Sequence, residues 1–116
     1  MKYFLKLLPQ PFETIKNGTK KIEGRPPKTN NDRYTQMKQG DEIIFTNIET
    51  GETLETKIIF VHHYENVKDM LEKEDMENIL SSKATIDQGI ESYNKINDYR
   101  ERIKKFGIYA IGIKLS

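Results

Sequence analysis

Lys20, Glu23 and Arg25 set one carboxylate between cations within six positions, the spacing in this chain that most suggests chemistry. They lie in Gly18-Thr19-Lys20-Lys21-Ile22-Glu23-Gly24-Arg25, eight residues with three cations and one acid. A glutamate flanked by cations keeps its charge and holds them in place. Such a group suits an anion or the polar edge of a base, with Arg25 the better bidentate partner and Glu23 orienting it or accepting a base amino group. Amide hydrolysis would need an activated nucleophile and a donor for the developing oxyanion. Lys20 serves as its base only if its pKa falls well below about 10; Glu23 is the alternative, activating a water. A plainer reading stays open: charged residues on an edge strand form a solvated face that blocks pairing with other chains.

Local signals place this stretch between two stops. Asn17-Gly18 reads as a helix C-cap, since glycine enters the left-handed region without a Cβ penalty. Pro26-Pro27 removes backbone donors and holds Arg25 extended. One short strand fits between, and strand alternation predicts Lys21, Glu23 and Arg25 on one face with Lys20, Ile22 and Gly24 on the other.

Other candidates are fewer. Arg33-Tyr34 pairs a cation with an aromatic that either stacks on a base or anchors its loop on the core. Tyr93 either stacks on a base or joins the core from a helical stripe, and Asp41 reads as a turn former. His62 and His63 point to opposite sides of a strand and have no third histidine, so no metal site or cofactor is expected.

The chain in order predicts strands and short helices. Residues 2–8 form a strand apolar on both sides, which suggests a central position or a closed sheet. Pro9-Gln10-Pro11 opens a helix with Pro11 at its first position and Phe12 and Ile15 buried. Residues 26–40 show no periodicity and read as an irregular, functional or mobile loop. Glu42 to Asn47 and Thr53 to His63 form a hairpin turned at Gly51. Two short helices follow, around Val67-Met70-Leu71 and Met76-Ile79-Leu80. A capping box at Thr85-Ile86-Asp87-Gln88 starts another, and Asp98 with Glu101 caps a last helix ended by Gly107. The strand Ile108 to Leu115 closes the chain. This order implies an α+β fold, a small antiparallel or mixed β-barrel with short helices inserted, in a single domain spanning residues 1–116.

Composition narrows the classes. Hydrophobic content of 35% against 32% charged predicts a lean core under a highly charged surface. The absence of cysteine excludes disulfides, thiolate zinc sites and cysteine nucleophiles, and fits a reducing, cytoplasmic setting. No apolar run reaches the roughly 20 residues that cross a bilayer, and the first residues lack a signal peptide's cleavage site. The net charge of +1 hides a balance of +6 over residues 1–40, −9 over 41–98 and +4 over 99–116. Overall neutrality argues against non-specific coating of nucleic acid, but a patch built from the two basic ends would meet a few phosphates.

The whole length resembles the ASCH domain family, of the PUA-like superfamily of small β-barrels. The resemblance rests on Pro9 to Gly18 after the first strand and on the G-x-K-x-x-E-x-R string of Gly18, Lys20, Glu23 and Arg25. Gly40-Asp41-Glu42-Ile43-Ile44-Phe45, Tyr93 and Gly107 to Ile113 complete it. It implies a cleft beside the helix after strand one, lined by Lys20, Glu23 and Arg25, that binds RNA, a nucleoside or a nucleotide. Arg25→Ala is expected to abolish that binding and leave the fold intact. Some family members are amidohydrolases of N4-acetylcytidine that use a lysine, a threonine and a glutamate. Lys20 matches the lysine, Glu23 stands at the threonine position, and Glu72 and Glu74 are the nearest candidates for the acid. An adaptor whose acidic middle segment docks a basic protein is the third reading.

Overall fold

Apolar residues run almost unbroken through Ile108–Leu115, and this closing stretch is buried on both faces as far as Ile113. A computed structural model describes all residues from Met1 to Ser116. The elements in chain order are β1 (Lys2–Leu7), α1 (Pro9–Lys16), β2 (Ile22–Arg25), α2 (Arg33–Gln36), β3 (Glu42–Asn47), β4 (Thr53–Tyr64), α3 (Val67–Lys73), a 3-10 turn (Met76–Asn78), α4 (Ile86–Asn94), α5 (Tyr99–Phe106) and β5 (Ile108–Leu115).

The strands form one sheet in the order β1-β3-β4-β5-β2, with β1 parallel to β3 and every other pair antiparallel. The fold is therefore α+β with a mixed sheet. Alternation along β5 divides the core. Ile111 and Ile113 join Leu5, Phe12, Phe45 and Ile58 on one side. Ile108 and Ala110 join Ile22, Met70, Leu71 and Ile103 on the other, where α3, α4 and α5 contribute. The pairing of β4 with β5 slips between Ile58 and Phe60, and Phe60 then lies against Gly112, where a Cβ would sit 2.2 Å from the ring.

Several expectations are corrected. β1 stands at one end of the strand order and not at its centre despite its two-sided apolarity: Phe4 is 63% exposed, and Leu8, also 63% exposed, falls beyond the strand. Its outward carbonyls are covered by side chains, Phe4 O accepting from Arg33 Nη1 at 3.0 Å and Lys6 O from Arg25 Nη2 at 3.4 Å. Helix α1 begins at Pro9 and not Pro11, because the first-turn N–H groups of a helix lack partners and both prolines are tolerated there. The stretch 26–40 is not wholly irregular: Asp32 caps the single turn α2 by accepting from Tyr34 N at 2.9 Å. Asp98 does not cap α5. It occupies the left-handed region at φ 59°, and its carboxylate accepts from Arg102 Nη1 at 3.3 Å. The capping box of Thr85 and Gln88 is present.

Candidate functional site

The site begins where α1 ends. Gly18 turns the chain at φ 86°, and Lys20 N donates back to Thr14 O at 2.9 Å, folding Lys20 beneath the helix. Strand β2 starts only at Ile22, so strand alternation does not govern Lys20 and Lys21. Lys21 is exposed, outside the site, and Lys20 turns inward to the glutamate expected on the opposite face. Lys20 Nζ lies 3.4 Å from Glu23 Oε1, and Arg25 Nε lies 2.8 Å from Glu23 Oε2. Both oxygens of one carboxylate are thus paired. Lys20 also donates to the carbonyl of Ile79, which follows the 3-10 turn, and Arg25 Nη1 donates to Tyr34 Oη at 3.1 Å.

Lys20 and Glu23 are each only 6% exposed, which makes their electrostatics consequential. Burial lowers the Lys20 pKa, and the attraction of Glu23 only partly restores it. Burial alone would raise Glu23, but Arg25 and then Lys20 outweigh it and hold the carboxyl below its usual range. Burial would lower Arg25 as well; Glu23, Tyr34 and Tyr99 reverse the effect and keep the guanidinium charged. The result is an ionised Arg25–Glu23 pair beside a lysine that gives up its proton more readily than usual.

These residues line a cleft of about 720 Å³ between the end of β1, the start of α1, the segment after the 3-10 turn, and α4. Lys6, Lys20, Arg25, Lys83 and Lys95 face it, and Glu23 is its one carboxylate. Tyr93 belongs to the core and to the cleft at once. It is 7% exposed, burial raises its pKa, and its hydroxyl lies over Gly24, where a Cβ would come within 2.5 Å.

The remaining candidates lie elsewhere. Glu72 is exposed and Glu74 accepts from Tyr64 Oη and pairs with His62 Nδ1 at 2.6 Å; neither lines the cleft, so neither supplies its acid. His63 Nε2 contacts Phe106 O at 2.8 Å, and no group of three or more His, Cys, Asp or Glu could hold a metal ion. Asp41 is a turn residue, accepting from Lys38 N at 3.1 Å and from the terminal ammonium of Met1 at 3.2 Å. Tyr34 is anchored in the core while its hydroxyl meets Arg25 and Arg33. Arg25 has structural contacts too, joining Glu23, Tyr34 and the edge of β1, all of which Arg25→Ala would remove.

Sequence reading missed Lys6, Lys83, Lys95, Tyr99 and Arg102. The segregation of basic residues to the chain ends was a usable signal, because Arg102 of α5 reaches the Pro26-Pro27 carbonyls and brings the two ends together. Nothing local marks Lys83, which follows two serines in a stretch without periodicity.

No helix of the protein is long and apolar enough to cross a membrane. A family profile described as ASCH domain matches residues 5–116. Among solved structures, the crystal structure of hypothetical protein PH0355 is 40% identical with a TM-score of 0.85, covering 100% of both chains. The solution NMR structure of protein PF0455 from Pyrococcus furiosus is 36% identical with a TM-score of 0.77, over 99% of this chain and 97% of that one. No curated protein matches the chain.

Proposed function

This chain belongs to the ASCH domain family, and from that premise we propose that its cationic cleft binds RNA or a nucleotide. The observation that carries the reading is the imbalance of charge: five cations face the cleft, and its single carboxylate is engaged on both oxygens by Lys20 and Arg25. The free positive potential therefore comes from Lys6, Lys83 and Lys95 at the rim, where phosphate contacts fit. Lys20, Glu23 and Arg25 form the rigid wall, with Arg25 and Glu23 offering a fixed donor and acceptor to a base edge. Tyr93 and Tyr99 supply aromatic surface against which a base packs. In this reading the sheet is a PUA-like barrel whose two edge strands are joined by the Arg25 guanidinium, and the contact of Arg25 with Lys6 O supports it.

The lowered pKa of Lys20 supports a second reading, hydrolysis of an N4-acetylcytidine-type amide with Lys20 as general base. Against it, the depressed pKa of Glu23 makes that carboxylate a poor base, and Glu72 and Glu74 lie outside the cleft. Binding is therefore the better supported.

Fluorescence anisotropy with a labelled single-stranded RNA tests the choice. A Lys6→Gln, Lys83→Gln, Lys95→Gln variant is expected to bind at least about tenfold more weakly, with a shallower salt dependence. Affinity and salt slope equal to wild type would remove the cleft from consideration. Release of cytidine from N4-acetylcytidine by wild type, lost in Lys20→Met, would promote the enzyme reading instead.

A further inference from the structure

A second cavity of about 350 Å³ adjoins the cleft, and the two share Arg25 and Tyr99 as a common wall. Four cations face this cavity, Arg25, Lys28, Arg33 and Arg102, with the phenols of Tyr34 and Tyr99. Its one carboxylate, Asp32, is occupied by main-chain donors, accepting from Lys28 N at 2.7 Å and Tyr34 N at 2.9 Å.

The three guanidiniums are held in place but not saturated. A guanidinium carries five N–H groups. Arg33 uses two, on Phe4 O and Tyr34 Oη. Arg25 uses three, on Glu23, Tyr34 and Lys6. Arg102 also uses three, on Pro27 O, Asp98 and Pro26 O. The buried Tyr34 hydroxyl accepts from Arg25 at 3.1 Å and from Arg33 at 3.4 Å, while its own proton has no acceptor in the chain. Residues lining this one concavity thus carry guanidinium N–H groups and a phenol proton that have no acceptor within the chain. A multiply charged acceptor with several oxygens would satisfy them. Tyr99, with the Arg102 guanidinium 4.9 Å from its ring centroid, forms the shared wall over which a ligand would pass from one cavity to the other.

We propose that the second cavity takes a phosphate group of the nucleotide chain whose base occupies the cleft, so that the ligand extends past a single nucleoside. The proposal rests on the cleft being a nucleotide site.

Titration calorimetry with the four common ribonucleosides, their monophosphates and a mixed-sequence single-stranded RNA hexamer tests it. The variant is Lys28→Gln, an exposed side chain that lines the second cavity and not the cleft. Wild type is expected to bind phosphorylated ligands about tenfold or more tighter than nucleosides, and the variant to lose that gain with nucleoside affinity unchanged. A gain already present with monophosphates assigns the cavity to a terminal phosphate. A gain appearing only with the hexamer assigns it to an internucleotide one. If nucleosides bind as tightly as their phosphates, or the variant weakens both alike, this proposal falls and the cleft reading stands. If none of the probes binds, both fall.

Discussion

Lys20 Nζ and Glu23 Oε1 meet at 3.4 Å although only Glu23 lies within a strand. The contact exists because the N–H of Lys20 is tied to Thr14 O at the end of α1, which aims its side chain inward before β2 begins. Glu23 then faces two cations at once, and the carbonyl of Ile79 takes a further lysine proton. Buried charge in this amount is tolerated only when each group is matched. The wall of the cleft is thus also an electrostatic keystone of the fold.

Glu23→Gln tests that double role. Removing one partner from a buried ion pair costs about 3–5 kcal/mol, and release of the Lys20 proton should hold the loss towards the lower end. The sign with pH follows from the depressed Glu23 pKa. Stability from this carboxylate is full above its unfolded value, about 4.3, and disappears as pH falls through the lower folded value. Urea denaturation of both proteins from pH 7 to 2 should show the gap between them closing in acid. A constant gap would mean that Glu23 acts through packing.

Lys20→Met moves the pH dependence at the other end. Because burial lowers the Lys20 pKa in the folded protein, the unfolded chain holds more protons between that value and about 10.4. Stability attributable to Lys20 therefore rises with pH across that window. The Met variant should lack this rise, so its stability relative to wild type is greatest at neutral pH and declines in alkali. Subtracting the two curves cancels the tyrosines common to both. A difference that stays flat from pH 7 to 10.5 would show that Lys20 ionises in the fold as freely as in the unfolded chain.

How far the sequence disclosed this arrangement depends on the range of the forces involved. The hairpin at Gly51, the box at Thr85 and the apolar closing strand were legible because each rests on neighbouring residues. The edge position of β1 was not. Its apolar residues suit a centre or an edge equally, and the choice depends on Arg25 and Arg33 covering carbonyls that a sixth strand would otherwise take. At the site, the residue types of Lys20, Glu23 and Arg25 were visible, but alternation misassigned Lys20 because the strand starts later than supposed. Lys83, Lys95 and Arg102 come to the cavities by tertiary packing alone, so no local pattern announces them.

Gly24 and Tyr93 provide a third test, one that separates packing from binding. A Cβ on Gly24 would lie 2.5 Å from Tyr93 Oη, 3.1 Å from Tyr93 Cζ and 3.1 Å from Met70 Cε, so this strand position has no room for alanine. Gly24→Ala should destabilise by about 1–3 kcal/mol through overpacking and push the Tyr93 ring away from the cleft wall. Tyr93→Phe removes the nearest clashing atom. Its hydroxyl has no hydrogen-bond partner in the chain and is not fully enclosed, so the single variant should be nearly as stable as wild type. In the Tyr93→Phe background, Gly24→Ala should then cost less by at least about 0.5 kcal/mol, the threshold at which neighbouring sites count as coupled. Chemical denaturation of the four proteins measures that coupling, and nucleotide titration of Tyr93→Phe measures what the hydroxyl contributes to a ligand. Equal costs of Gly24→Ala in the two backgrounds would trace the glycine requirement to Met70 instead, leaving Tyr93 free to serve the cleft without constraining the strand.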